Sequence, residues 1–321
     1  MLLKKCLIGA VLAVAALGTA QAAGDYPNKP VRVYVGFAPG GATDLLARYY
    51  ADQLSRRLGQ TFIVENRAGA GGNVAIQALT QAAPDGYTIA MGANYIASNA
   101  AMKRNAYDWE TQLQPVSLIA STPNILVVPP NSPFQSVDDV IKAAKKPDAF
   151  LTFGSAGVGS SIHLSGELFK AMTDTQLTHV PYKGVTSAEV ALMAGDIDMM
   201  FGSPSNEVPL VQSGKLRVLA ITGLERMKVF PDTPTLDESG LKGFNVGASY
   251  VLVAPANVPT EVMDRLHTAI EEINATDETT AFTDRIYATP MRGGPAEAKA
   301  FLQSEYQKWA KLVEETNLKF D

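Results

Sequence analysis

Apolar positions along this chain switch repeatedly between two spacings. Val31-Arg32-Val33-Tyr34-Val35-Gly36-Phe37 is a short apolar-rich run that stops at Pro39-Gly40-Gly41, which predicts a strand and a turn. Leu46, Tyr50, Leu54 and Leu58 then recur every fourth residue, one face of a helix over 43–58. Residues 62–64 predict a second strand, 72–82 a second helix and 87–91 a third strand. A βαβαβ order of this kind predicts a mostly parallel sheet covered by helices.

The alternation restarts after Pro123. Strands are predicted at 125–128, 150–153, 177–180, 197–201, 218–221 and 250–254, and helices at 137–144, 162–172, 188–193, 259–273 and 295–315. In the last helix Phe301, Leu302, Tyr306, Trp309 and Val313 share a face, the stripe of a helix packed on a core. Trp109 and Trp309 are both read as core residues. The expected fold class is α/β with two lobes, each a mostly parallel sheet flanked by helices. The chain is expected to cross between them near 121–124 and again near 246–250. That places 23–123 with 249–321 in lobe 1 and 124–248 in lobe 2. A cleft between lobes is a common place for a small-molecule site.

The N-terminus changes the compartment. Lys4 and Lys5 precede an apolar run from Leu7 to Leu17, and Ala20-Gln21-Ala22 supplies a small-x-small cleavage pattern. Residues 1–22 thus read as a secretory signal peptide cut near Ala22, the run being too short for a membrane anchor. Cys6 is the only cysteine and leaves with the leader, which excludes a disulfide or a thiolate site from the mature chain. Of 27 basic residues two are in the leader, so 25 face 32 acidic ones, a formal charge of −7. This balance argues against nucleic acid or an anionic membrane surface as partner. Any anion site must therefore be built locally.

Two glycine-rich loops carry candidate chemistry, each between a strand and a helix. The first is Phe37-Ala38-Pro39-Gly40-Gly41-Ala42-Thr43-Asp44, where Thr43 or Asp44 is placed to cap the next helix. The second is Gly154-Ser155-Ala156-Gly157-Val158-Gly159-Ser160-Ser161-Ile162-His163. Bare amides, hydroxyls and a helix N-terminus suit an oxyanion without any Lys or Arg. Taken singly, either loop also reads as a plain structural turn. The second lacks the G-x-G-x-x-G order of a dinucleotide turn and the Gly-Lys-Ser/Thr of a P-loop. His163, His179 and His267 have no zinc-ligand spacing, and no Gly-x-Ser-x-Gly elbow is present. The chain is thus expected not to be an enzyme and to need no cofactor or metal. A hydrolase pairing Ser160 with His163 stands as the minor alternative.

These stretches resemble the Bug family, the periplasmic receptors of tripartite tricarboxylate transporters. The resemblance rests on the two loops, on Val64-Glu65-Asn66-Arg67-Ala68-Gly69-Ala70-Gly71-Gly72 and on Pro84-Asp85-Gly86-Tyr87-Thr88. It continues through Glu167-Leu168-Phe169, His179-Val180-Pro181-Tyr182-Lys183-Gly184, Gly195-Asp196-Ile197-Asp198-Met199-Met200-Phe201 and Gly214-Lys215-Leu216-Arg217, spanning nearly all of the mature chain. It implies a two-lobed Venus flytrap that delivers a mono- or dicarboxylic acid to a membrane permease, working as a monomer without a membrane anchor. It also implies that one carboxylate is held by main-chain amides and hydroxyls of both loops. Carried over, that role falls to Ala38, Gly40, Gly41 and Thr43, flanked by Phe37 and Asp44, and to Ser155, Ala156, Gly157, Gly159, Ser160 and Ser161; His163, by its own place one turn into the following helix, reads as orienting the loop. The rest of the ligand would extend toward Asn94, Tyr95, Tyr182, Lys183, Phe201 and Ser203.

Two positions depart from the family pattern. Ser249 stands where the family often has tryptophan, which predicts a roomier distal wall of the pocket, and Gly202-Ser203-Pro204-Ser205-Asn206 lacks a frequent acidic residue. Lys183 either pairs with a second carboxylate or caps local backbone. A sensory receptor presenting the same trap to a signalling partner is equally compatible with these residues.

Overall fold

A computed structural model describes residues 26–316. The leader, Cys6 and the cleavage site lie outside the described residues. The first elements are β1 (Val31–Val35), α1 (Ala42–Leu58), β2 (Phe62–Asn66), α2 (Asn73–Thr80), β3 (Thr88–Ala93), α3 (Tyr95–Ala101), α4 (Trp109–Gln112) and β4 (Leu113–Pro123). There follow β5 (Ile125–Val128), α5 (Val137–Ala144), β6 (Leu151–Ser155), α6 (Ser161–Thr173), β7 (Leu177–Pro181), α7 (Val185–Ala194), β8 (Met199–Gly202), α8 (Pro204–Gln212) and β9 (Arg217–Ile221). The chain closes with β10 (Gly247–Pro255), α9 (Thr260–Asn274), α10 (Asp277–Arg285), β11 (Thr289–Pro290) and α11 (Pro295–Thr316).

Two sheets result. One runs β11-β4-β10-β3-β1-β2 and the other β7-β6-β8-β5-β9, each over its own apolar core. The fold is two-lobed α/β, but each sheet is mixed instead of mostly parallel. Parallel pairing is confined to β2-β1-β3 and to β7-β6-β8. β10 lies antiparallel to both β3 and β4, and β5 antiparallel to both β8 and β9. The reason is connectivity. Parallel neighbours need a helical crossover, whereas β4 runs almost directly into β5 across Asn124 and so enters the second sheet without one.

Helix α1 buries Leu46, Tyr50 and Leu54 as its four-residue spacing predicts. In α11 the buried stripe is different from the expected one: Ala298, Leu302, Glu305 and Trp309 are buried, while Tyr306 is 40% exposed. Leu302 belongs to the first core and Trp309 to the second, so this one helix is anchored in both. Among the described residues no helix is long and apolar enough to cross a membrane.

Candidate functional site

The first loop is held from beneath by a carboxylate. Gly41, not Thr43 or Asp44, takes the N-cap position of α1, and no side chain caps the helix. Asp44 folds back to accept from the Gly40 N–H at 3.1 Å, Arg48 Nε at 2.9 Å and Asn66 Nδ2 at 2.8 Å. Burial alone would raise its pKa, but the hydrogen bonds from Arg48, Asn66 and Gly40 outweigh it and hold the carboxyl below its ordinary range. Asn66 also donates to the Phe37 carbonyl at 3.0 Å. The Gly40 amide is therefore engaged inside the loop, and the N–H groups of the first turn of α1 are left for the cleft.

The second loop is tied down in the same inward sense. The Gly157 N–H donates to Ser155 Oγ at 3.0 Å and the Gly159 N–H to His163 Nδ1 at 3.1 Å. Ser160 caps α6 by accepting from the His163 N–H at 3.3 Å, and its hydroxyl donates to the Gly157 carbonyl at 2.7 Å. The glycines thus shape the loop, with φ of +114° at Gly157 and +85° at Gly159, and their amides are turned away from the cleft. Ser155 Oγ lies 2.6 Å from His179 Nε2. Burial holds His163 down to about 2, with His179, Arg104 and Lys170 adding repulsion, and His179 to about 4, with Lys170 and Arg104 contributing. Both rings are neutral at ordinary pH.

This geometry changes the hydrolase alternative. Ser160 spends its hydroxyl proton on a backbone carbonyl, and the His163 ring faces Gly159 and Glu167. The serine–imidazole pair that does form, Ser155 with His179, is on a fully buried serine behind the loop. Among the described residues no His, Cys, Asp and Glu group is placed to hold a metal.

Between the sheets lies a cavity of about 60 Å³. Phe37, Ala38, Gly41 and Thr43 line it from the first loop, Ala156, Ser160 and Ser161 from the second, with Asn94, Tyr95 and Ser203 completing the predicted set. Sequence reasoning missed Ala42, Ala93, Asn124, Ile162, Val185, Ala248 and Tyr250. No lining residue is charged. Instead α1, α3, α6, α7 and α8 all begin here, at Ala42, Tyr95, Ser161, Val185 and the Ser203 cap. Helix N-termini carry partial positive charge and N–H donors, an arrangement that suits an anion without any charged side chain. Tyr95 lines the cavity with its ring edge-on to Phe37 at 5.6 Å between centroids, and its buried hydroxyl has no hydrogen-bond partner among the described residues.

Other predicted residues fall elsewhere. Gly40, Asp44, Ser155, Gly157, Gly159 and His163 do not line this cavity but support the loops around it. Tyr182 and Lys183 sit with Gly157 on a separate outer groove, and Lys183 is exposed there. Phe201 is fully buried in the second core. Ser249 lines a larger groove of about 800 Å³, not the cavity, because strand alternation turns its neighbours Ala248 and Tyr250 inward. The wall expected to be roomier is therefore on the opposite face of β10.

The lobes touch directly around the cavity. Asn206 Nδ2, at the start of α8, donates to the Gly40 carbonyl at 3.3 Å. The backbone of Gly71 passes so close to the second loop that an added Cβ would lie 2.0 Å from the Val158 carbonyl oxygen.

Known proteins share this two-lobed fold. The sequence model of the tripartite tricarboxylate transporter family receptor matches residues 46–318. Protein BugT of Bordetella pertussis is 32% identical over 316 residues, covering 98% of this chain and 97% of its own. The Rhodopseudomonas palustris protein Rpa4515, solved with adipate, is 33% identical with a TM-score of 0.87, over 92% of this chain and 99% of that one. MatC from the same organism, solved with bound malate, is 31% identical with a TM-score of 0.85, over 90% and 100%. The chain belongs to the receptor family of the tripartite tricarboxylate transporters.

Proposed function

We propose that this protein is a periplasmic receptor that traps a small carboxylic acid between its lobes and hands it to a membrane permease of the tripartite tricarboxylate type. The observation that carries the reading is the convergence of five helix N-termini on an uncharged cavity between two sheets. Helix starts favour a carboxylate without an ion pair, which matches a chain whose net charge is acidic. The carboxylate is assigned to the N–H groups that open α1 and α6 and to the hydroxyls of Thr43, Ser161 and Tyr95, with Ala38 and Gly41 shaping the first wall. The lobes are taken as 23–123 with 249–321 and as 124–248, after export by a leader cut near Ala22. The protein binds without turning over its ligand and acts as a monomer.

Thermal unfolding across a panel of mono- and dicarboxylates, adipate and malate included, tests this reading. A ligand that binds the folded state alone raises stability as the logarithm of its free concentration. At least one panel member should do so and should contract the protein in small-angle scattering. Silence across the panel, with the protein folded and ligand-free, would sink the proposal.

A further inference from the structure

Beneath the second loop is a buried aromatic group that takes no direct part in the cavity. His179 stacks on Phe153 with ring centroids 4.9 Å apart, and His163 lies 4.2 Å from His179. His163 is 1% exposed. A buried ring of this kind is ordinarily replaceable by an apolar side chain of like volume. Here, however, each ring nitrogen meets the loop at a defined point. His163 Nδ1 accepts from the Gly159 N–H, which fixes the neutral form with its proton on Nε2, 3.7 Å from Glu167 Oε1. His179 Nε2 meets Ser155 Oγ, and that oxygen accepts from the Gly157 N–H. Both glycine amides of the loop thus end on the imidazole pair, one directly and one through a serine.

We propose that His163 and His179 are positioning residues for carboxylate binding: they anchor the Gly157 and Gly159 amides inward, so that the start of α6 is held facing the cavity before the ligand arrives. A loop with two glycines at positive φ has many conformations open to it, and ordering it on binding would be subtracted from affinity. Buried acceptors order it during folding instead. The same anchoring presents the loop to the other lobe. An added Cβ on Gly159 would lie 1.9 Å from Asn99 Oδ1, and one on Gly71 2.0 Å from the Val158 oxygen, so the loop meets the other lobe with no room for a side chain at these points. The inference rests on the carboxylate reading of the cavity.

The test separates acceptor from bulk. His163→Asn keeps a carbonyl oxygen near the place of Nδ1, and His179→Gln keeps a polar group near the place of Nε2. His163→Leu and His179→Leu keep volume and lose the acceptor. Adipate and malate are titrated calorimetrically into the mature protein and each variant, alongside denaturant unfolding. The amide-bearing variants should bind within threefold of wild type and the leucine variants at least tenfold more weakly. Leucine should also lower stability, because it leaves the buried Gly159 N–H or the Ser155 hydroxyl without its partner, so affinity is compared under conditions where every variant is fully folded. Leucine variants that bind like wild type would overturn the proposal. Hydrogen exchange of the Gly159 amide gives a ligand-free reading: protection should persist in His163→Asn and be lost in His163→Leu. If no acid of the panel binds wild type the carboxylate reading fails, while unchanged protection in His163→Leu overturns the positioning role by itself.

Discussion

At the scale of single residues, a buried histidine pair and a buried glutamate give opposite pH signatures. His179 is held at about 4 and His163 at about 2, against 6.5 when unfolded. Between those values the unfolded chain binds more protons than the folded one, so stability is full above pH 6.5 and falls as pH drops toward 4. Unfolding followed from pH 7 to pH 4 should show this loss, and His179→Gln should flatten it. Glu207 behaves conversely. It is fully buried, and its carboxyl is pushed well above the ordinary range first by burial and then by Glu189. Here the folded state keeps its proton longer, so stability falls as pH rises past about 4.5. Glu207→Gln should therefore gain stability over wild type as the pH goes from 5 to 8, and a gain independent of pH would contradict the assignment. None of this was legible in sequence. The sequence offers Thr43 or Asp44 as a helix cap, yet three donors converging from residues 40, 48 and 66 draw Asp44 back onto the loop.

At the scale of elements, the strand–helix alternation was readable because each element buries one face and so imprints its own period. The elements missed are those whose pattern is local noise or a compromise. Helix α3 is only seven residues and buried along most of its length, which erases amphipathic contrast. Helix α8 contains Pro204 and Pro209, and β4 carries Gln114-Pro115 near its start yet pairs with β10 over nine positions. Contacts between elements of opposite lobes escape sequence altogether. Gly184 is one such case. Its φ is 177°, extended backbone open to any residue, yet an added Cβ would lie 2.9 Å from that of Ala38 across the cleft. Gly184→Ala should leave unfolding nearly unchanged while weakening carboxylate binding about tenfold, roughly 1.4 kcal/mol. Scattering should show less ligand-induced contraction in the variant, and wild-type affinity would mean that the lobes do not meet at this point.

At the scale of the whole molecule, α11 ties the two cores together. Leu302 is anchored in the first and Trp309, 1% exposed, in the second. Trp309→Ala should cost about 3–5 kcal/mol by cavity formation. Because the helix is shared, denaturant unfolding of the variant should also lose coincidence between probes in the two lobes. A small change with one cooperative transition would show that the helix is only laid over the second core.

What the sequence determined by itself is the local part: the alternating elements, the two glycine turns ahead of helices, the absence of catalytic spacing and the acidic balance. Those features depend on neighbours a few residues apart, and the chain carries them wherever it folds. Only the tertiary structure decided which groups face the ligand. Three of the four glycine amides expected at the carboxylate, those of Gly40, Gly157 and Gly159, are claimed by Asp44, Ser155 and His163, and the cavity is lined by helix starts from five places in the chain. An N–H group points outward or inward according to a partner that is distant in sequence, as Ser155 is oriented by His179. That choice is made when the sheets pack, and no local pattern records it.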